Sequence, residues 1–166
     1  MDNMNTRALK SMILANLQDL RRFAYSLTSD VDDADDLTQM VVERLLTRTI
    51  PENIVPLPWM FRVCKNAWID EIRSRKVRAT DDAFDILQIP SSRTSDNQLE
   101  EASQKQRLQI AIDELPEPYR MVISLVIMSG LSYAETSQTL DLPIGTVMSR
   151  ISRARKKLAE KLSETD

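Results

Sequence analysis

At 166 residues the chain has room for one ordinary domain or two small ones, and its two glycines and apolar residues at helical spacing predict an all-α protein. The net charge of −3 and pI near 5.1 do not advertise a nucleic-acid binder, although local charge, not the total, decides where DNA sits. The absence of histidine excludes His-dependent triads and imidazole-built zinc sites. The single cysteine, Cys64, excludes an intramolecular disulfide framework and suits a reducing cytoplasm.

From about Thr6 to Leu27, apolar residues recur at Leu9, Ile13, Leu17, Leu20, Ala24 and Leu27, the spacing of a single amphipathic helix. Thr28-Ser29-Asp30 is expected to close that helix and cap the next. Asp30, Asp32, Asp33, Asp35 and Asp36 then crowd the start of a second helix, whose buried face is Leu37, Val41 and Leu45. So dense a cluster exceeds what capping and the helix dipole require. The excess suggests a docking surface for a basic partner, continued by Gln39, Glu43 and Arg44. A metal site is disfavoured, because the glycine turn and alternating ligands of a calcium loop are missing.

Ile50 to Pro58 holds three prolines and reads as a constrained loop, with Pro58 opening a third helix that runs to about Arg75. This helix interleaves Trp59, Phe61 and Trp68 with Arg62, Lys65, Asn66, Arg73, Arg75, Lys76 and Arg78. Aromatic faces can stack on unpaired bases while cations track phosphates. The competing reading makes the aromatics core and the basic tail a solvated helix end. Core suits Phe61 and Trp68 better, and nucleic-acid contact suits Asn66 and the Arg/Lys tail better. Cys64 is expected to pack as a small apolar residue.

From Thr80 to about Glu101 the periodicity breaks, acidic residues dominate, and Pro90-Ser91-Ser92 interrupts any helix. The stretch 81–101 is therefore expected to be a flexible linker between helical domains at 1–80 and 102–166. Phe84, Ile86, Leu87 and Ile89 leave open whether it orders on a partner or stays a loose tether. Helix resumes near Ala102 with Leu108, Ile112 and Leu115, and breaks at Pro116-Glu117-Pro118. A further apolar face, Tyr119, Val122, Ile123, Val126 and Ile127, then ends at Gly130 as a C-cap. The longest apolar run, Met121 to Met128, is interrupted by Ser124 and is too short to cross a bilayer, so no membrane insertion and no leader are expected.

The last stretch, GLSYAETSQTLDLPIGTVMSRISRARKKLAEKL, reads as helix, tight turn, helix. Ser132 and Glu135 form a capping box, Asp141 suits a left-handed turn position, and Pro143 prevents the first helix from continuing. In the second helix Val147, Ile151, Ala154 and Leu158 share one face, with Ser149, Arg150, Arg153, Lys156 and Lys157 on the others. A helical hairpin with merely solvated cations is the plainer alternative. Small residues at the start of the basic helix (Gly145, Thr146, Ser149, Ser152) favour a helix that enters the major groove.

Together, LTSDVDDADDLTQMVVERLL, PWMFRVCKNAWIDEIRSRKVR and LPEPYRMVISLVIMSGLSYAETSQTLDLPIGTVMSRISRARKKL resemble the extracytoplasmic-function sigma factors of bacterial RNA polymerase, in the sigma-70 family. The resemblance covers nearly the whole chain. It implies a promoter-specificity subunit without catalytic activity or cofactor, which binds core polymerase, directs initiation and answers to an anti-sigma factor. It implies that Asp33, Asp36, Gln39 and Glu43 dock on the coiled coil of the polymerase's largest subunit. Asn66 and the Ile50–Pro58 loop would hold a flipped base of the minus-ten non-template strand, and Arg62, Lys65, Arg73 and Arg75 would track that strand. The linker would thread towards the polymerase active centre. Ser149 and Arg153 would read bases of the minus-thirty-five duplex, with Thr146, Arg150, Arg155 and Lys157 completing that surface. The chain departs from the family at Met148, where Lys or Arg is usual, at Thr136 and Thr139, usually apolar, and at Asp141, often Gly. The two threonines suggest a more polar first helix of the helix-turn-helix. A sigma-like decoy for an anti-sigma factor and a repressor using only the helix-turn-helix are the competing classes.

Overall fold

A computed structural model describes residues 2–81 and 103–164, which fall into two compact units, Met1–Ser91 and Ser92–Asp166. All but the first position of the expected linker, 81–101, lies outside the described residues, and that first position closes a helix.

The first unit is built from α1 (Asp2–Ala15), α2 (Leu17–Thr28), α3 (Val31–Thr47) and α4 (Pro56–Asp81). The helix expected over Thr6–Leu27 is thus two helices, broken at Asn16 with φ −113° and ψ 9°. The Asn16 side-chain amide donates to the Met12 carbonyl at 2.8 Å, and its backbone N–H bonds Ile13 instead of the regular partner. Such competition by a short amide side chain is local chemistry that apolar spacing cannot report. Leu9 and Ile13 of α1 and Leu20, Phe23, Ala24 and Leu27 of α2 are nevertheless all buried, and both helices pack on α3. At the α2–α3 junction Ser29 takes the left-handed conformation and closes α2 onto Tyr25, and the Asp30 carboxylate accepts from the Asp33 N–H at 2.9 Å.

The third expected helix begins two residues early, at Pro56 instead of Pro58, and continues to Asp81 rather than ending near Arg75. A proline at the first helical position loses nothing, because that N–H has no intrahelical partner. The Trp59 N–H closes the first turn on Val55 at 3.3 Å. Phe61 and Phe23 meet with ring centroids 4.8 Å apart, joining α4 to α2. Trp68 is buried, as core placement requires, and Cys64 is fully buried beside them. Burial pushes the Cys64 thiol up to about 12, so it stays protonated and unreactive.

The second unit comprises α5 (Gln104–Asp113), α6 (Glu117–Val122), a π-helical segment (Ile123–Met128), α7 (Tyr133–Leu140) and α8 (Ile144–Glu164). A capping box between Ser103 and Gln106 starts α5, and α5, α6 and α7 all pack against α8. Ala111, Ile112 and Leu115 are buried, whereas Leu108, one turn nearer the helix start, is exposed.

The π-helical segment revises the apolar face expected after Pro118. Its widened turn, with the Ser129 N–H bonded to Ser124, shifts the phase of the side chains. Ser124 and Leu125 go into the core with Val122 and Ile123, and Ile127 is exposed. Gly130, at φ +72°, follows the C-cap residue Ser129 and turns the chain into α7.

Candidate nucleic-acid and partner interfaces

Both ends of α7 follow from local chemistry. The Ser132 hydroxyl accepts from the Glu135 N–H at 3.0 Å, and the Glu135 carboxylate returns the bond to the Ser132 N–H at 3.1 Å. Asp141 stops the helix in the left-handed region (φ 56°, ψ 49°) with its N–H on Ser137, and the Ser137 hydroxyl donates to the Leu142 carbonyl. Pro143 then supplies the carbonyl that receives the Thr146 and Val147 N–H groups, and α8 starts at Ile144. Thr136 and Thr139 are buried, so the polarity that they add to α7 lies on its inner face. Thr139 donates to the Glu135 carbonyl at 2.8 Å.

Val147, Ile151 and Ala154 bury one side of α8, and Leu158 is half-buried in line with them. The helical period then sets the remaining side chains. Ser149, Arg153 and Lys156 run along the ridge opposite the core. Thr146, Arg150 and Lys157 form one flank. Ile144, Met148 and Arg155 form the other. Lys157 leans over the Tyr119 ring, its ammonium 5.9 Å from the centroid, which fixes the base of that flank. Lys156 belongs to the ridge by position, and its i+3 relation to Arg153 is the sequence signal for it.

On α4, Arg62, Lys65, Asn66 and Arg73 share a face, with Lys76 one turn on; Arg62, Asn66, Arg73 and Lys76 are exposed and Lys65 is half-buried. Arg75 is not brought to that face. Its guanidinium donates to both oxygens of Asp33, at 3.0 and 3.4 Å, and to Glu71 at 3.0 Å, and lies 5.3 Å above the Trp68 ring. The hydrogen bond to Asp33 is the largest of the influences that hold the guanidinium's pKa above its ordinary value.

That contact also divides the acidic cluster of α3. Asp30 caps the helix, Asp33 holds Arg75, and Asp35 pairs with Arg21 of α2 at 2.7 Å. Asp32 and Asp36 remain exposed and align with Gln39 and Glu43 along one outward row. Asp33 therefore stands apart from the three residues with which the sequence grouped it. Among the described residues no cluster of His, Cys, Asp and Glu suits a metal ion, and no helix is long and apolar enough to cross a membrane.

Two family models match the chain: sigma-70 region 2 over residues 12–78 and sigma-70 region 4 over residues 105–158. The chain belongs to the extracytoplasmic-function sigma factors of the sigma-70 family. It is 33% identical over 161 residues to the sigma factor EcfG of Rhodopseudomonas palustris, covering 93% of this chain and 84% of that one. To the sigma factor SigM of Bacillus subtilis it is 30% identical over 145 residues, covering 86% and 87%. Among solved structures, the sigma factor RpoE of Bartonella quintana, crystallised with the anti-sigma factor NepR, aligns at a TM-score of 0.74 and 27% identity, covering 95% of this chain and 98% of that one. In this sigma factor the region 2 match spans α2, α3 and most of α4, and the region 4 match contains α7, the turn and α8 as far as Leu158.

Proposed function

We propose that this sigma factor joins core RNA polymerase and gives it specificity for a two-element promoter, working in the cytoplasm with no catalytic centre or cofactor of its own. The observation that carries this reading is the presence of a separate cationic helix face in each unit: Arg62, Lys65, Asn66 and Arg73 on α4, and the ridge and flanks of α8. A repressor acting through a single helix-turn-helix has no use for the first, and a decoy for an anti-sigma factor has no use for either.

In this reading the outward row of α3, Asp36, Gln39 and Glu43, docks on a basic surface of the largest-subunit coiled coil. Asp33 contributes by holding α3 against α4 through Arg75. Asn66 and the Ile50–Pro58 loop hold a base of the minus-ten non-template strand out of its stack, while Arg62, Lys65 and Arg73 track the backbone. Extrusion of a base costs a few kcal/mol, which those contacts offset. On α8, Ser149 and Arg153 face base edges of the minus-thirty-five duplex, and Thr146, Arg150, Arg155 and Lys157 lie nearer its phosphates. Residues 1–80 and 102–166 form the two domains of this grip, with 81–101 as the linker between them. An anti-sigma factor holds the free chain inactive; the likeness to a relative crystallised with one supports this.

Transcription reconstituted from core polymerase, this protein and promoter fragments tests the whole reading. Initiation should depend on the protein, and Arg153→Ala and Asn66→Ala should each abolish most of it. Core enzyme that initiates from no fragment in its presence would sink the proposal.

A further inference from the structure

The flank of α8 formed by Ile144, Met148 and Arg155 is unlike the rest of the helix surface. Its first two members are apolar, four residues apart, and each about half exposed, at 48% and 52%. They project from the end of the helix that carries the small residues Gly145, Thr146 and Ser149, and so from the end able to approach base edges most closely. Neither side chain contributes to the buried core of the unit, which Val147, Ile151 and Ala154 supply from the adjacent face of the helix. One turn beyond Met148 the flank narrows at Ser152 and then ends in the cation of Arg155.

An apolar pair leading into a cation has a specific match in duplex DNA. The major groove is lined by donors and acceptors, and its one protruding apolar group is the thymine C5-methyl, with the phosphates along its rim. We infer that Met148, supported by Ile144, reads thymine in the upstream promoter element through its methyl group, while Arg155 fixes that flank on the adjacent phosphate. This rests on the placement of α8 in the minus-thirty-five duplex, and it makes Met148 a specificity-determining residue. Met148 suits the task because an unbranched thioether adapts to an irregular apolar surface. A cation at the same position would favour a guanine edge or a phosphate instead.

The test uses holoenzyme assembled from core polymerase and the full chain. A promoter duplex is selected from a randomised pool by the parent holoenzyme. It is then remade with deoxyuridine for each thymidine of the upstream element, which removes methyl groups and leaves base pairing intact. Parent affinity should fall by about fourfold per methyl contacted. Met148→Gln, with helix content and melting checked against the parent, should bind the two duplexes equally, and Met148→Lys should select a different upstream element. Equal binding of both duplexes by the parent overturns the proposal. So does a Met148→Gln loss of the same size on both duplexes, which would assign the apolar pair to a polymerase surface. Arg153→Ala separates the two levels: if it leaves duplex affinity undiminished, the placement of α8 itself has failed and the thymine reading falls with it. If Arg153→Ala weakens binding while the parent ignores the methyl groups, only the thymine reading fails.

Discussion

Thr136 carries its hydroxyl into the core of the second unit with no hydrogen-bond partner among the described residues. A buried, unsatisfied hydroxyl costs about 1–3 kcal/mol relative to a group that needs no partner. Thr136→Val should therefore stabilise the unit by about 1 kcal/mol, read as a higher denaturation midpoint; a loss of stability would mean the hydroxyl is bonded after all. Thr139 is the internal control, since its hydroxyl is already satisfied by Glu135. Arg75 poses the opposite case, a cation with two carboxylate partners and an aromatic ring beneath it. A double-mutant cycle of Arg75→Met and Asp33→Asn should return a coupling of about 1 kcal/mol in folding stability, above the usual exposed pair because the contact is bidentate. A coupling near zero would leave Arg75 free for the DNA strand that the sequence assigned to it.

At the scale of the element, the helix-turn-helix is the most legible part of the chain. Ser132, Glu135, Asp141 and Pro143 act within a few residues of themselves, so their roles can be written down before any fold is known. Ser132→Ala should cost about 1 kcal/mol, measured by chemical denaturation, because it removes the hydroxyl that accepts from the Glu135 N–H and leaves only the backbone half of the capping box. The same periodicity that places Val147, Ile151 and Ala154 inward also assigns Ser149, Arg153 and Lys157 to outward positions. What periodicity could not report is which charges are already paired. Arg75 and Asp33 are 42 residues apart, and only the packing of α4 on α3 brings them together. The break at Asn16 and the shifted phase after Ile123 were hidden for a related reason. Each replaces a regular backbone hydrogen bond with an irregular one, while the apolar pattern around it still reads as continuous helix.

For the whole molecule, a net charge of −3 conceals two basic faces on an acidic chain. Phosphate contacts release counterions, so promoter affinity of the holoenzyme should fall steeply as salt rises. Arg73→Ala in the first unit and Lys157→Ala in the second should each reduce the log–log salt slope by about one. Because the two residues sit in separate units, the reductions should add in the double variant. An affinity that stays flat from low to moderate salt would remove both faces from the backbone. Total charge was therefore a poor guide to the partner here, and the distribution of Arg and Lys along individual helices was the informative quantity.

The π-helical segment has a consequence for length variation in the chain. A widened turn spends one residue more than a regular one, and that surplus is absorbed between Ile123 and Met128. Ile127, exposed near its end, is thus a position the chain can lose. Removal of Ile127 should let the turn close as ordinary α-helix, keep Val122 and Leu125 in the core, and give a protein that still unfolds cooperatively. Removal of Ser152 from α8 has no such reserve. It would rotate Ala154 and Leu158 by about 100° out of the core and should abolish the cooperative transition of the second unit.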